Sequence, residues 1–158
     1  MVGHNVLIAH AEAVFIYRTR YQSLYDGAIG IVLNLDWGEP LSPSSSTDLL
    51  AATRHNEFGL AWFADPIYFG HYPVSMQQLV GDRLPVISDA LALKLKGSAD
   101  FLGLNHYSTK YYYEAAVPDR DPPITMSGTG MGGWAEDQRN VESKHDINGQ
   151  LIGPQVLT

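Results

Sequence analysis

The chain has 158 residues, of which 45% are hydrophobic and 17% charged, so its composition is that of a globular domain and not of a disordered or coiled-coil protein. Ten basic and 17 acidic residues give a formal net charge of −7, which argues against nucleic acid or an anionic membrane as the main partner. The absence of cysteine excludes a disulfide framework, a thiolate zinc site and a cysteine nucleophile.

The first part of the chain predicts a helix, a strand and a second helix. Apolar residues recur at three- and four-residue steps over residues 3–21, which is typical of an amphipathic helix; they are Leu7, Ala11, Val14, Phe15 and Tyr21. Residues 28–33 are continuously apolar, and such a run is typical of a strand covered on both faces, as in a parallel sheet. After a Pro- and Ser-rich loop, a second helix is predicted over residues 47–64, ending at Asp65-Pro66.

Further along, the pattern predicts two short helices and a second strand. Pro73 is suited to open a helix that ends before Gly81, and Ser88 is suited to cap a helix over residues 89–96. The apolar run 101–104 predicts another strand.

Beyond residue 108 the pattern becomes irregular. Residues 111–113 can add an extended segment, whereas residues 115–150 are mostly Pro, Gly, Asp, Ser and Asn with little periodicity, which predicts a long loop. The alternation of helices and strands indicates an α/β fold with parallel strands. Two strands are too few for a stable sheet, so either further strands are present or the chain is part of a larger assembly.

Polar and aromatic residues follow both predicted strands. The first strand leads into residues 34–40, Asn-Leu-Asp-Trp-Gly-Glu-Pro, and the second into residues 105–109, Asn-His-Tyr-Ser-Thr. In parallel α/β folds, ligands bind at the C-terminal ends of the strands. Aromatic faces can cover the apolar side of a sugar while amides, carboxylates and phenols bond to its hydroxyls. These two segments therefore favour a carbohydrate site.

Several segments in a fixed order carry a family resemblance. They are His4-Asn5-x-Leu7-x-Ala9-His10-Ala11, Trp62-Phe63-x-Asp65-Pro66, Gly70-x-Tyr72-Pro73, Val80-Gly81-Asp82-Arg83-Leu84-Pro85, Lys96-Gly97-Ser98-x-Asp100-Phe101-x-Gly103-x-Asn105-x-Tyr107 and Gly149-x-x-Ile152-Gly153-Pro154. Together they resemble glycoside hydrolase family 1, which contains the β-glucosidases. The resemblance covers nearly the whole chain from His4 onward and is weakest over residues 115–148.

The resemblance implies a (β/α)8 TIM barrel and a retaining mechanism in which two Glu residues flank the glycosidic bond. In the family, the acid/base Glu lies in an Asn-Glu-Pro motif after strand 4, and the nucleophile lies in a Glu-Asn-Gly motif after strand 7. Neither motif occurs in this chain. Residues 1–158 are thus expected to be an internal fragment of one barrel domain, from helix 4 to the loop after strand 6, with residues 108–158 mostly that loop.

Two carboxylates need separate interpretation because of this expectation. Glu39-Pro40 looks similar to the acid/base motif, but it follows strand 5, so Glu39 is interpreted as a loop carboxylate and not as the acid. Glu114 is a candidate by position alone.

The resemblance also assigns roles to five site residues. Tyr107 matches the tyrosine whose hydroxyl contacts the nucleophilic carboxylate, and Asn105 matches the asparagine beside it at the sugar site. Asp36 and Trp37 fall where the family lines the aglycone side, although Trp37 suits a core position equally well. Trp134 lies in a loop that brings an aromatic ring toward the pocket mouth in relatives, with loop packing as the alternative.

The histidines and one asparagine are predicted to have structural roles. His4, Asn5 and His10 are interpreted as packing and hydrogen-bonding residues of helix 4. His71 and His106 are interpreted as structural or as supports for the site.

The expected whole is a retaining β-glucosidase that hydrolyses terminal β-D-glucosides, and this chain by itself is expected to be inactive. Its expected partners are a β-glucoside or oligosaccharide substrate and other fragments of the same barrel, with no cofactor, metal, nucleic acid or membrane. An alternative is a non-catalytic sugar-binding fragment or a truncated inactive one. No apolar run approaches the roughly 20 residues that span a bilayer, and no secretion signal is visible after Met1, so the compartment stays open.

Overall fold

The computed structural model describes residues 2–114 and 137–149. In chain order the elements are α1 (Val2–Arg20), α2 (Gln22–Tyr25), β1 (Ile31–Asn34), β2 (Trp37–Pro40), α3 (Ser46–Asn56), a π-helical segment (Glu57–Ala61), α4 (Trp62–Phe69), α5 (Val74–Val80), a 3-10 turn (Gly81–Arg83), α6 (Asp89–Leu95), β3 (Leu102–Asn105), β4 (Thr109–Glu114) and β5 (Asn140–Glu142). They form two compact units. The first contains residues 2–35 and 57–106, and the second contains the described residues from 36–56 and from 107 onward.

The core of the first unit is built on helix α1. The helix buries Leu7, Ala11 and Val14, which lie on one face at a spacing of four and three residues. Leu7 and Ala11 pack in a cluster with residues of the later helices, namely Ile67, Tyr72 and Leu95. The predicted helix is therefore confirmed, but its apolar residues are not confined to the buried face, since Val6 and Ile16 are exposed. Phe15, which the pattern placed on the same stripe, is instead exposed beneath the Lys94 ammonium.

Two histidines connect α1 to the rest of this unit. The Tyr72 hydroxyl and His4 Nδ1 share a hydrogen bond of 2.8 Å, and His10 Nε2 donates to the carbonyl oxygen of the buried Ser98 at 3.1 Å. Burial raises the pKa of Tyr72 to about 12, so this phenol stays protonated at neutral pH. The predicted packing role of His4 and His10 is confirmed, whereas Asn5 is exposed.

Strands β1 and β3 form a parallel pair, as expected for an α/β fold. Ile31 pairs with Leu102 and Asn34 with Asn105, so the two strands start and end together. Alternation places Leu104 on the face opposite Val32, and these side chains are 49% and 59% exposed. The described residues therefore do not supply the predicted cover on both faces of this pair.

The helical stretch after residue 46 does not end at Asp65-Pro66, and that prediction is wrong. The chain passes from α3 through the π-helical segment into α4, which contains Pro66 and ends at Gly70 with φ 85°. Proline removes one backbone donor and crowds the preceding turn, which normally favours a stop. Here Pro66 and Ile67 are both buried in the core of their unit, and tertiary packing outweighs the local preference.

The predicted helix ends are otherwise confirmed. Ser88 caps α6, because its hydroxyl accepts a hydrogen bond from the Leu91 backbone N–H at 3.3 Å. Pro73 precedes α5, and Gly81 and Gly97 follow α5 and α6 with positive φ.

The second unit is a three-stranded sheet packed against α3. Strand β4 is central, pairing in parallel with β2 and antiparallel with β5. Ala51 and Ala52 of α3 pack on Tyr112. At the end of the helix, the Asn56 amide accepts from Gly38 N at 2.9 Å and donates to Gly38 O at 3.0 Å.

Two of these strands were not predicted. β2 contains Gly38 and Pro40, both of which disfavour strands, and β5 has only three residues. These residues form strands because they pair with β4, which is distant in sequence, and not because of their local strand propensity. The stretch 108–158, expected to be mostly loop, thus contains β4 and β5 in its described part, and β4 includes the extended segment predicted at residues 111–113. In the described part of the chain, no helix has the length and apolar character needed to cross a membrane.

Candidate functional site

The first unit presents two amides where its parallel strands end. Asn34 and Asn105 are register partners, and Asn105 Nδ2 donates to Asn34 Oδ1 at 2.7 Å. Both side chains are exposed, so the other polar atom of each amide is accessible. One residue on, His106 Nδ1 lies 3.1 Å from the carbonyl oxygen of Leu35, which supports the structural interpretation of this histidine. The sequence analysis placed both asparagines in segments that favour a sugar site but did not pair them, because their register follows only from strand pairing.

In the second unit, the side chain of Asp36 is fixed by hydrogen bonds from neighbouring backbone groups. Asp36 Oδ1 accepts hydrogen bonds from the backbone N–H groups of Tyr107 at 3.3 Å and Ser108 at 3.1 Å. Lys110 Nζ lies 4.0 Å from Asp36 Oδ2. Hydrogen bonds from the Ser108 side chain and from these backbone amides lower the pKa of Asp36, so the carboxylate is charged at neutral pH.

The backbone of Asp36 is held as well. His55 Nε2 donates to the Asp36 carbonyl oxygen at 2.9 Å, and the buried His55 ring stacks on Tyr112 with 4.1 Å between centroids. Gly38 makes room for this pair, since a Cβ there would lie 2.8 Å from His55 Cδ2 and 3.1 Å from Tyr112 Cδ2. Burial lowers the pKa of His55, so the ring is neutral at pH 7. No sequence motif pointed to His55.

Trp37 and Glu39 are two residues apart in β2, so their side chains lie on the same face of the strand. Trp37 is 43% exposed, so it is not a core residue in the described structure, and its indole Nε1 donates to Glu39 Oε1 at 2.8 Å. Glu39 thus holds an exposed aromatic ring, which fits its interpretation as a non-catalytic carboxylate. The spacing of two residues in a strand is the signal that would have found this pair.

Tyr107 is a largely exposed residue of the predicted site. Its side chain is 84% exposed, and its hydroxyl has no hydrogen-bond partner among residues 2–114 and 137–149. Trp134, the remaining predicted site residue, lies outside the described residues.

Glu114 is engaged by an arginine that sequence reasoning did not single out. Arg54 of α3 pairs with the Glu114 carboxylate, and its guanidinium also donates to the carbonyl oxygens of Gln138 at 2.7 Å and Arg139 at 2.9 Å. This contact connects α3 to β4 and to the start of β5. Glu114 is therefore a structural partner in this unit. Within the described ranges, no three His, Asp or Glu side chains are grouped closely enough to hold a metal ion.

Comparison with known proteins identifies the family. The model of glycosyl hydrolase family 1 matches residues 1–152. The oleuropein β-glucosidase of Olea europaea is 50% identical over 156 residues, an alignment that covers 98% of this chain and 26% of the olive protein. The chain thus spans about a quarter of the length of this curated relative.

Solved structures give the same result for the fold. A rice β-glucosidase superposes with a TM-score of 0.84 at 38% identity, over 99% of this chain and 31% of the rice chain. A β-glucosidase of the fungus Humicola insolens, solved in complex with glucose, gives a TM-score of 0.81 at 39% identity, over 99% of this chain and 30% of that one. The predicted fold class, an α/β piece of a (β/α)8 barrel, is thereby confirmed. The chain belongs to glycosyl hydrolase family 1.

Proposed function

We propose that this chain is an internal part of a retaining β-glucosidase that hydrolyses terminal β-D-glucosides, with both catalytic Glu residues outside residues 1–158. The observation that carries the proposal is a family match over almost the whole chain in which neither catalytic motif occurs. The named relatives are β-glucosidases, and one of them was solved with glucose bound. In a retaining mechanism, one Glu protonates the leaving group while the other forms a glycosyl-enzyme.

The roles of the individual residues follow from their chemistry. Asn105 offers an accessible amide oxygen to sugar hydroxyls, while Asn34 holds its Nδ2. Trp37 offers an exposed aromatic face on the aglycone side, where Asp36 is also placed. The free hydroxyl of Tyr107 donates a hydrogen bond to the nucleophilic carboxylate and lowers its pKa, so that it stays ionised. Trp134 is proposed to lie near the mouth of the pocket.

The proposed partners of the chain are the other segments of the same barrel. Strands β1 and β3 expose apolar side chains on both faces, Val32 on one and Leu102 and Leu104 on the other. An isolated two-stranded pair of this kind is marginal in water, whereas neighbouring strands and helices of a barrel would cover both faces and both edges. Residues 108–158 belong to the region after strand 6 in this arrangement.

The location of the nucleophile is testable by covalent labelling. The full-length protein that contains this chain is incubated with a 2-deoxy-2-fluoro-β-glucoside whose leaving group departs readily, which traps the glycosyl-enzyme, and the labelled peptide is identified by mass spectrometry. We expect the label on a Glu outside residues 1–158. A label on Glu39 or Glu114 would contradict the proposal, as would full activity of the 158-residue chain alone on p-nitrophenyl β-D-glucoside.

The role of Tyr107 is tested by Tyr107→Phe, with Tyr113→Phe as a matched control on another exposed tyrosine of the same unit. Loss of a hydrogen bond to a charged group removes about 1.5–3 kcal/mol, so Tyr107→Phe is expected to lower kcat/KM by roughly 10- to 150-fold. Tyr113→Phe is expected to leave kcat/KM within about twofold, because surface substitutions change little. Equal effects of the two variants on kcat/KM would contradict the proposed role of Tyr107.

The alternative, a non-catalytic sugar-binding fragment, is favoured only by the lack of both Glu motifs in the chain. It predicts that the isolated 158 residues give a cooperative thermal transition, run as a soluble monomer and bind glucose without hydrolysing a glucoside. Aggregation of the isolated chain would argue against it.

A further inference from the structure

We propose that Asp36 is a positioning residue for Tyr107, because its carboxylate fixes the backbone turn that carries the tyrosine. This inference rests on the proposed role of Tyr107 beside the nucleophile. It assigns Asp36 a task that the aglycone-side placement of this residue does not include.

The contacts of the Asp36 carboxylate converge on the residues that carry the tyrosine. Asp36 Oδ1 accepts from two successive backbone N–H groups, at 3.3 Å from Tyr107 and 3.1 Å from Ser108. Hydrogen bonds with an ionised acceptor are roughly twice as strong as neutral ones. Lys110, on the adjoining strand β4, adds a positive charge 4.0 Å from Oδ2. The carboxylate therefore holds the backbone at the residue from which the Tyr107 side chain projects.

Asp36 is itself held rigidly from the other side. The buried His55 donates to its carbonyl oxygen at 2.9 Å, and the ring of His55 is fixed by stacking on Tyr112. The next residue, Trp37, donates its backbone N–H to Ser108 O at 3.1 Å and starts the β2–β4 ladder. Asp36 thus connects the turn to the packed sheet and to helix α3.

Tyr107 depends on this anchor because little of its ring is covered by the described residues. The side chain is 84% exposed, and the hydroxyl has no partner among residues 2–114 and 137–149. Within this unit the backbone therefore sets the point from which the phenol extends. A hydrogen bond to a catalytic group is sensitive to displacements of about 0.5–1 Å, so release of the turn is expected to weaken it.

A double-mutant cycle tests the proposal in the active full-length protein that contains this chain. Asp36→Ala, Tyr107→Phe and the double variant are compared by kcat and KM on p-nitrophenyl β-D-glucoside. We expect Asp36→Ala to lower kcat by about tenfold when Tyr107 is present, with little change in KM, and by less than about twofold in the Tyr107→Phe background. Asp36→Asn retains an oxygen acceptor for the two N–H groups and is expected to recover most of the loss.

The possible outcomes separate the inference from the proposed function. An equal loss of kcat in both backgrounds would overturn the positioning role and leave that of Tyr107 intact. A rise in KM by the same factor in both backgrounds with kcat unchanged would mean that Asp36 acts only in substrate binding, which also overturns the positioning role. Tyr107→Phe with unchanged kcat/KM would refute the proposed role of Tyr107 and the inference with it. If Asp36→Ala fails to fold, Asp36→Asn takes its place, with a smaller expected loss of kcat of about two- to threefold when Tyr107 is present and none in the Tyr107→Phe background; the same kcat ratio in both backgrounds overturns the inference.

Discussion

Substitution of Gly30 by alanine probes the start of the parallel pair that carries Asn34 and Asn105. Gly30 immediately precedes β1, and a Cβ at this position would lie 2.4 Å from the carbonyl oxygen of Phe101 and 2.7 Å from its ring. Ordinary van der Waals contact begins at 3.4 Å, so the backbone segments around Gly30 and Phe101 would have to separate by about 1 Å.

The surrounding hydrogen bonds oppose that separation. Phe101 O accepts from Ile31 N at 3.3 Å, Asp100 N donates to Ile29 O at 2.7 Å, and Ile29 N donates to the Asp100 carboxylate at 2.8 Å. Overpacking costs about 1–3 kcal/mol, and loss of the Ile31 bond adds about 1 kcal/mol. The smaller conformational entropy of unfolded alanine offsets about 0.4–1 kcal/mol. We therefore expect Gly30→Ala to lower the free energy of unfolding by about 2–3 kcal/mol.

Urea denaturation followed by tryptophan fluorescence measures this effect, which corresponds to a fall in Tm of about 4–12 °C for a protein of this size and to a smaller fall for a longer one. The matched control is Gly59→Ala in the same unit. There a Cβ would lie 2.6 Å from Leu35 Cδ1, the movable end of a flexible side chain, with no other atom closer than 4.0 Å. The control is expected to change the free energy of unfolding by less than about 1 kcal/mol. Equal losses in the two variants would refute the reasoning from the rigid Phe101 carbonyl.

Three further outcomes are expected from the same structure. Leu95→Ala, at a side chain with 0% exposure, should reduce the free energy of unfolding by about 2–5 kcal/mol in urea denaturation, whereas Leu93→Ala, 82% exposed on the same helix, should change it by less than about 0.5 kcal/mol. Because burial lowers the pKa of His55 below 6.5, the unfolded chain takes up the proton first as pH falls. The free energy of unfolding should therefore decrease as pH is lowered from about 7 toward the folded-state pKa, and His55→Gln should flatten this dependence; an unchanged slope would contradict the assignment. Asn34→Leu removes the acceptor for Asn105 Nδ2 and should lower kcat/KM on a glucoside by about tenfold, while Asn34→Asp keeps that acceptor and should have a smaller effect; the reverse order would exclude this pairing.

Local sequence patterns predicted the helices of the first unit well. The stripe of Leu7, Ala11 and Val14 identified the buried face of α1, and Ser88 identified the start of α6. Both signals act within one or two helical turns, so they can be read without knowledge of distant contacts. Pro66 failed as a stop signal because the burial of its own helix outweighed a local preference.

Sequence patterns that extend over one or two helical turns could not predict strand β2 or which of the site residues contact each other. Trp37-Gly38-Glu39-Pro40 has little strand propensity, and it becomes a strand through pairing with β4, about 70 residues away. The same distance separates Asp36 from Tyr107 and Asn34 from Asn105.

The amino-acid sequence by itself determined the helices, the α/β class, the family and which polar residues follow each strand. The tertiary structure alone decided which of those residues meet: the Asn34 amide on Asn105, the Asp36 carboxylate on the backbone of Tyr107, and the buried His55 beneath Asp36. The physical reason is that helix periodicity and capping are local, whereas a hydrogen bond between strand ends depends on register, and register is set by pairing and packing across the whole unit.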